Sequence, residues 1–321
     1  MMGGVKNPPG EKKMTNLQIY RPWMAVAALA VWTSVTASAQ YTFVKIKVPA
    51  AGADAGTPFA ISNQNDIAGV YGIKGERRTT LGYLRTSDNQ WVYLTDPVPG
   101  QTLIAPQGVN SNRTVVGYYR PSKGLASGFL FNGGSYLFPF NEPGCKDTEV
   151  SGIDDSSDIA GSCFESGKSK AWFYINNTGT TTFFTVPGAA DTYAAAINSA
   201  GQVAGSYTGG PHIVGYVRTS TGEITTYDQG VPTWVFGLSD ISNRDDRWVA
   251  GYYENPDGTF HGFLNLNGTN IPIDAPGAKS TLVFGVNVKG WFVGTYVDAQ
   301  GHGHGYYGKP SNGASVLVDE E

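Results

Sequence analysis

After residue 40 the hydrophobic residues fall in short clusters between polar, glycine-rich turns, and one arrangement returns six times. An aliphatic residue is followed by a polar turn, two apolar residues, a small residue or none, a glycine and usually an aromatic. It reads "ISNQNDIAGVY" (61–71), "VNSNRTVVGYY" (109–119), "IDDSSDIAGSC" (153–163), "INSAGQVAGSY" (197–207), "ISNRDDRWVAGYY" (241–253) and "VNVKGWFVGTY" (286–296). The glycines Gly69, Gly117, Gly161, Gly205, Gly251 and Gly294 are spaced by 48, 44, 44, 46 and 43 residues. A fixed period of this size marks a repeat architecture.

Ten to thirteen residues after each glycine comes a second mark, at Gly82, Gly128, Ala171, Gly215, Gly262 and Gly305, each beside aromatic or aliphatic residues. A third apolar segment follows, such as "QWVYL", "TTFFTV" or "TNIPID". Each unit therefore predicts four short strands, a weak first one ending at the aliphatic residue. "NSAG" and "NLNGT" supply the turn chemistry between strands. The position of Gly201 holds Asn65 and Gly290 in two units but Arg113, Ser157 and Arg247 in the rest, so those three turns are expected to use another geometry. Strands such as "TVVGYY" are apolar on both faces, as between packed sheets. A glycine inside a strand usually marks a close backbone approach, expected here between neighbouring units. The pattern predicts an all-β fold, a six-bladed β-propeller of six repeats of about 45 residues with four strands each. An open β-solenoid and two packed β domains stay as alternatives. Either "YTFVKIKVPAAGA" (41–53) or "ASVLVDEE" (314–321) would complete the terminal blade.

The first forty residues read differently. Arg21 precedes the apolar "WMAVAALAVWTSVTA" and an "ASA" ending at Ala39. These are the parts of a secretory signal peptide. The expected organisation is a signal over residues 1–39, with Met14 an alternative start, and one domain over 40–321. The mature chain would be secreted or periplasmic, with no later apolar run long enough to span a membrane. Removing the signal changes 22 basic and 26 acidic residues to 18 and 25. That acidic balance argues against nucleic acid as a partner. Cys145 and Cys163 flank "TEVSGIDDSSDIAGS", and a hairpin there would bring them together as a disulfide.

The consensus "I-N-x-x-G-x-V-x-G-x-Y … H-G-F-L … N-G", best kept in "INSAGQVAGSY" and "YYENPDGTFHGFLNLNGT" (252–269), resembles the HAF-type extracellular repeats of exported bacterial proteins. The resemblance spans roughly residues 57–319 and is weakest in units one and three. It implies an exported, β-rich, propeller-like protein, and it carries over no catalytic residue.

Candidate chemistry is sparse. His302 and His304 alternate and point to one side of a strand, but His261 and His304 share a repeat position, which favours packing over metal ligation. "DDSSD" (154–158) and "NRDDR" (243–247) carry oxygen ligands for a hard cation, yet they lie where turns use Asp and Asn for backbone bonding. No metal and no cofactor is expected. Asp54, Asp147, Asp191 and Asp240 open or precede first strands and are the candidates for axial carboxylates in glycan chemistry. The loops from strand two to three and from four to one vary most, and in a propeller they share a face. On that face Lys74, Arg77, Arg78, Arg120, Lys123, Lys168 and Lys170 predict a basic crescent, with Tyr118 and Trp234 nearby. The leading expectation is a binding or interaction module for an anionic or glycan ligand or an exported protein. A glycoside hydrolase or polysaccharide lyase, and a structural envelope component, are the alternatives.

Overall fold

The computed structural model describes residues 41–54, 56–75, 80–94, 101–121, 124–141, 145–242, 246–312 and 315–320. The signal segment, Arg77, Arg78 and Lys123 lie outside the described residues. Every regular element among the described residues is a strand. Repeats one to five each fold as a four-stranded antiparallel sheet in sequence order, and repeat six contributes three such strands to a five-stranded sheet. The first strands are Thr57–Ile61, Gln101–Val109, Asp147–Ile153, Asp191–Ile197, Thr233–Leu238 and Ser280–Val286. A single parallel bridge, Thr80 to Leu103, joins sheets one and two. Residues of all six first strands line one narrow cavity of about 60 Å³, so the sheets stand around an axis as the blades of a propeller.

The ring closes between blade six and blade one. Asn287 Nδ2 donates to the Ser62 carbonyl at 2.9 Å, and Phe59 meets Phe284 with ring centroids 5.3 Å apart. The N-terminal strand Tyr41–Lys45 completes blade six, antiparallel to Gly303–Pro310. The C-terminal strand Val316–Asp319 then adds beyond it, parallel to the N-terminal strand. The first and the last of the described strands thus join the same sheet.

All six first strands carry a register shift at the same place, around Phe59, Gln107, Ser151, Ala195, Phe236 and Phe284. A bulge bends a strand and re-aims its side chains. Here it turns these six residues onto the axial cavity. The bulge also explains the repeated glycines, and corrects the expectation for them. A Cβ on Gly69, Gly117, Gly161, Gly205, Gly251 or Gly294 would strike the carbonyl of Thr57, Ala105, Glu149, Tyr193, Trp234 or Leu282 in its own blade. Contact between blades is made one strand further in. A Cβ on Gly152 would lie 2.8 Å from the Ala196 Cα, and one on Gly237 or Gly285 would lie 3.1 Å from the Cα of Gly285 or Ala60.

Over each repeated glycine's sheet lies the aromatic mark of strand three: Tyr83, Phe129, Trp172, Tyr216, Phe263 and Tyr306, all buried to within 2% of full burial. Burying such rings contributes the largest apolar areas in the chain. The turn after strand one is also more uniform than expected. Arg113 and Ser157 adopt φ of 59° and 65°, the same left-handed geometry as Asn65, Gly201 and Gly290, whereas Arg247 does not. The strain at Arg113 and Ser157 is offset by side-chain bonding. Asn110 Oδ1 accepts the N–H of Asn112 and Thr114, and Asp154 Oδ1 accepts those of Ser156 and Asp158. On the hairpin that turns at Asp154–Asp158, Cys145 and Cys163 form a disulfide with Cα atoms 5.4 Å apart.

Candidate functional site

The axis has two dissimilar ends. At the end carrying the turns between strands one and two, Ile61, Val109, Ile153, Ile197, Leu238 and Val286 form an aliphatic collar. Outside the collar the blades are bonded in pairs. Asn110, Asn198 and Asn287 each donate Nδ2 to a carbonyl of the following blade, at Asp154, Ser239 and Ser62. Asp155 accepts Ser111 N–H, Asp240 accepts Ser199 N–H and Asn63 accepts Val288 N–H. Asn63 Nδ2 then donates across the axis to both Asp155, at 3.0 Å, and Asp240, at 2.9 Å.

One member of this ring is mismatched. Asp154 stands where blades two, four and six carry asparagine, and its Oδ2 is buried without a partner. A carboxylate oxygen cannot donate as the asparagine amide does. Burial, with Asp158 and Asp240 nearby, pushes its carboxyl up to about 7.

The other end carries the variable loops, and among the described residues no side-chain hydrogen bond crosses the axis there. Two residues before each bulge, on the same side of the strand, stand Thr57, Ala105, Glu149, Tyr193, Trp234 and Leu282. Blades five, six and one present rings there. Trp234 and Phe236 both stack on Tyr252, at 5.0 and 5.5 Å between centroids, while Phe284 meets Phe236 edge-on and reaches Phe59. Trp234, Phe236, Tyr252 and Phe59 are half-buried. Blades two to four present polar groups instead. Arg120 pairs with Glu149 at 2.9 Å and with Asp147 at 3.8 Å. Half-buried Tyr118 lies within electrostatic reach of all three, and exposed Tyr193 within reach of Glu149. Burial pushes the Glu149 carboxyl up, opposed by the Arg120 charge.

This arrangement divides the predicted site. Arg120, Tyr118 and Trp234 reach the axial mouth, while Lys74, Lys168 and Lys170 are exposed and, among the described residues, have no hydrogen bond or ion pair through their side chains. Arg120 is not a free cation of a basic crescent, because two carboxylates already hold it. The four candidate carboxylates do not converge. Asp147 and Asp191 accept the N–H of Ala126 and Ser169 from the preceding blade, and Asp54 accepts that of Gly72. Asp240 sits at the turn end. His261 and His304 stack on Tyr253 and Tyr296 and pair with Asp274 and Asp298. His302 also faces Asp298, at 3.4 Å. Among the described residues no three His, Cys, Asp or Glu side chains are grouped to hold a metal ion. Sequence reading missed Phe59, Phe236, Phe284 and Glu149, which sit in first strands whose alternation the bulge interrupts.

No protein-family model and no curated protein matches the chain. Solved structures do. A Dyadobacter fermentans protein of unknown function is 9% identical, with 85% of this chain and 99% of that one covered at a TM-score of 0.53. A protein assigned as TolB from Agrobacterium tumefaciens is 10% identical, with 85% and 98% covered and a TM-score of 0.52. Trypanosoma rangeli sialidase is 8% identical, with 83% of this chain and 57% of that one covered and a TM-score of 0.50. At these identities the likeness is one of fold, and the fold is the β-propeller.

Proposed function

We propose that the chain is an exported binding module that engages its ligand at the loop end of the axis. One observation carries this reading: half-buried rings of Trp234, Phe236 and Phe59 gather at the loop end, while the opposite end is linked across the axis by Asn63 hydrogen bonds. Rings left partly in water on a rigid scaffold are typical of recognition surfaces. Export rests on the basic start, the apolar run and the "ASA" ending of residues 21–39, and the HAF-type repeat resemblance fits it. Periplasm and medium are both compatible with such a signal. A hydrolase or lyase reading is less favoured, since Asp54, Asp147 and Asp191 are engaged by backbone N–H groups.

An array of glycans and exported proteins, probed with the purified chain, tests the reading. Binding that is lost in Trp234→Ala and kept in Asp240→Asn supports it. A silent array, or binding that ignores Trp234 and follows Asp240, overturns it.

A further inference from the structure

The mouth is asymmetric in a way that selects a ligand. Its aromatic side offers flat apolar faces, and its polar side offers a carboxylate and a guanidinium fixed against each other at 2.9 Å. Between them the axial cavity of about 60 Å³ has Gln107 and Ser151 in its wall. That volume holds a few waters and no sugar or aromatic ring, so a ligand rests across the mouth instead of entering the channel.

We infer, on the reading of the loop end as a binding face, that this mouth takes an uncharged saccharide. Its apolar ring face would lie against the Trp234 and Phe236 side, and its hydroxyls would face Glu149, Arg120 and Gln107. A sugar ring has a C–H face and a rim of groups that both donate and accept. The aromatic side suits the first. The Arg120–Glu149 pair suits the second, because it supplies donors and acceptors already held in place.

Other ligand classes fit less well. A polyanion needs unbalanced positive charge, and Arg120 is already shared by Glu149 and Asp147. A cationic group needs a free carboxylate beside the rings, and Arg120 occupies that carboxylate. A wholly apolar partner would strip water from the ion pair without replacing its hydrogen bonds, which is costly.

Titration calorimetry with cellopentaose, chitopentaose and penta-galacturonate tests the assignment. At least one neutral oligomer is expected to bind and penta-galacturonate to bind at least tenfold more weakly. Trp234→Ala should weaken the neutral oligomer at least tenfold, Glu149→Gln severalfold, and Lys168→Ala not at all. Trp234→Phe keeps a ring and should retain most of the affinity, which separates lost stacking from lost folding. Preference for penta-galacturonate, or neutral binding indifferent to both Trp234→Ala and Glu149→Gln, overturns the saccharide assignment. So does silence of all three oligomers. If the array then finds a protein bound through Trp234, only the saccharide assignment falls; if the array is silent too, the binding-face reading falls with it.

Discussion

The two ends of the axis are built from the same six strands, yet one is bonded across its centre and the other, among the described residues, is not. At the turn end, each of blades two, four and six gives an asparagine to its successor, and Asn63 joins two more blades across the centre. At the loop end, the equivalent ring holds six unlike residues, from Ala105 to Trp234. Repetition of a residue around the ring marks a place where each blade must do the same structural task. Divergence marks a place released from that task, and there the rings and the Arg120–Glu149 pair have gathered. The difference assigns stability to the turn end and, on the function proposed above, recognition to the loop end.

The comparison can be broken by substitutions that exchange those roles. Asn287→Ala should have the largest effect on stability, because Asn287 holds the closure between the last and first blades and accepts two further backbone N–H groups. A loss of about 3 kcal/mol is expected, since several buried groups lose partners at once. Urea unfolding reads it, and binding at the loop end should survive wherever the variant remains folded. Replacing Cys145 and Cys163 by serine should cost nearly as much, ~3 kcal/mol for a loop of this length, measured in the same way.

Asp154→Asn sharpens the comparison in the opposite direction. The folded-state carboxyl lies at about 7, above its ordinary value of 3.8. The native state therefore holds a proton that the unfolded chain has released between those values. Stability from this group is full below pH 3.8 and is lost as pH rises through 7. The variant should gain about 2 kcal/mol over the parent at pH 8 and little at pH 4, seen as a flatter dependence of the urea midpoint on pH. An unchanged pH dependence would show that Asp154 finds a partner in solution. Smallest of all, Lys168→Ala and Lys170→Ala should shift stability by no more than about 0.5 kcal/mol in thermal melts, as expected of exposed lysines. A larger loss from either lysine than from Asn287 would reverse the assignment of the two ends.

Much of this architecture is legible in the sequence, because repeated glycines, aromatic marks and turn residues all report the same period. The repeated glycine is visible, but the atom it must avoid is not. That atom is a carbonyl of its own blade, brought close by a bulge that no pattern of apolar residues announces. The glycines that do face neighbouring blades escape notice because Ala60 and Ala196 interrupt their series. Arg113 and Ser157 show the limit of turn rules: their side-chain type argues against positive φ, but the oxygens of Asn110 and Asp154 hold the loop there. The site is legible in part for a similar reason. Trp234 and Arg120 stand out by residue type. Which charges remain free depends on pairing across blades, as between Arg120 and Glu149, 29 residues apart.

The placement of the first and last described strands in one sheet has a consequence for biogenesis. Residues 41–45 are made early, yet their sheet neighbours at 303–310 and 316–319 are made last. Until synthesis is finished, the leading strand has no mate and the final blade lacks its outer half. Assembly therefore waits on the latest residues to emerge, and a chain clipped before Val316 would exit with an unshielded strand border able to recruit other copies.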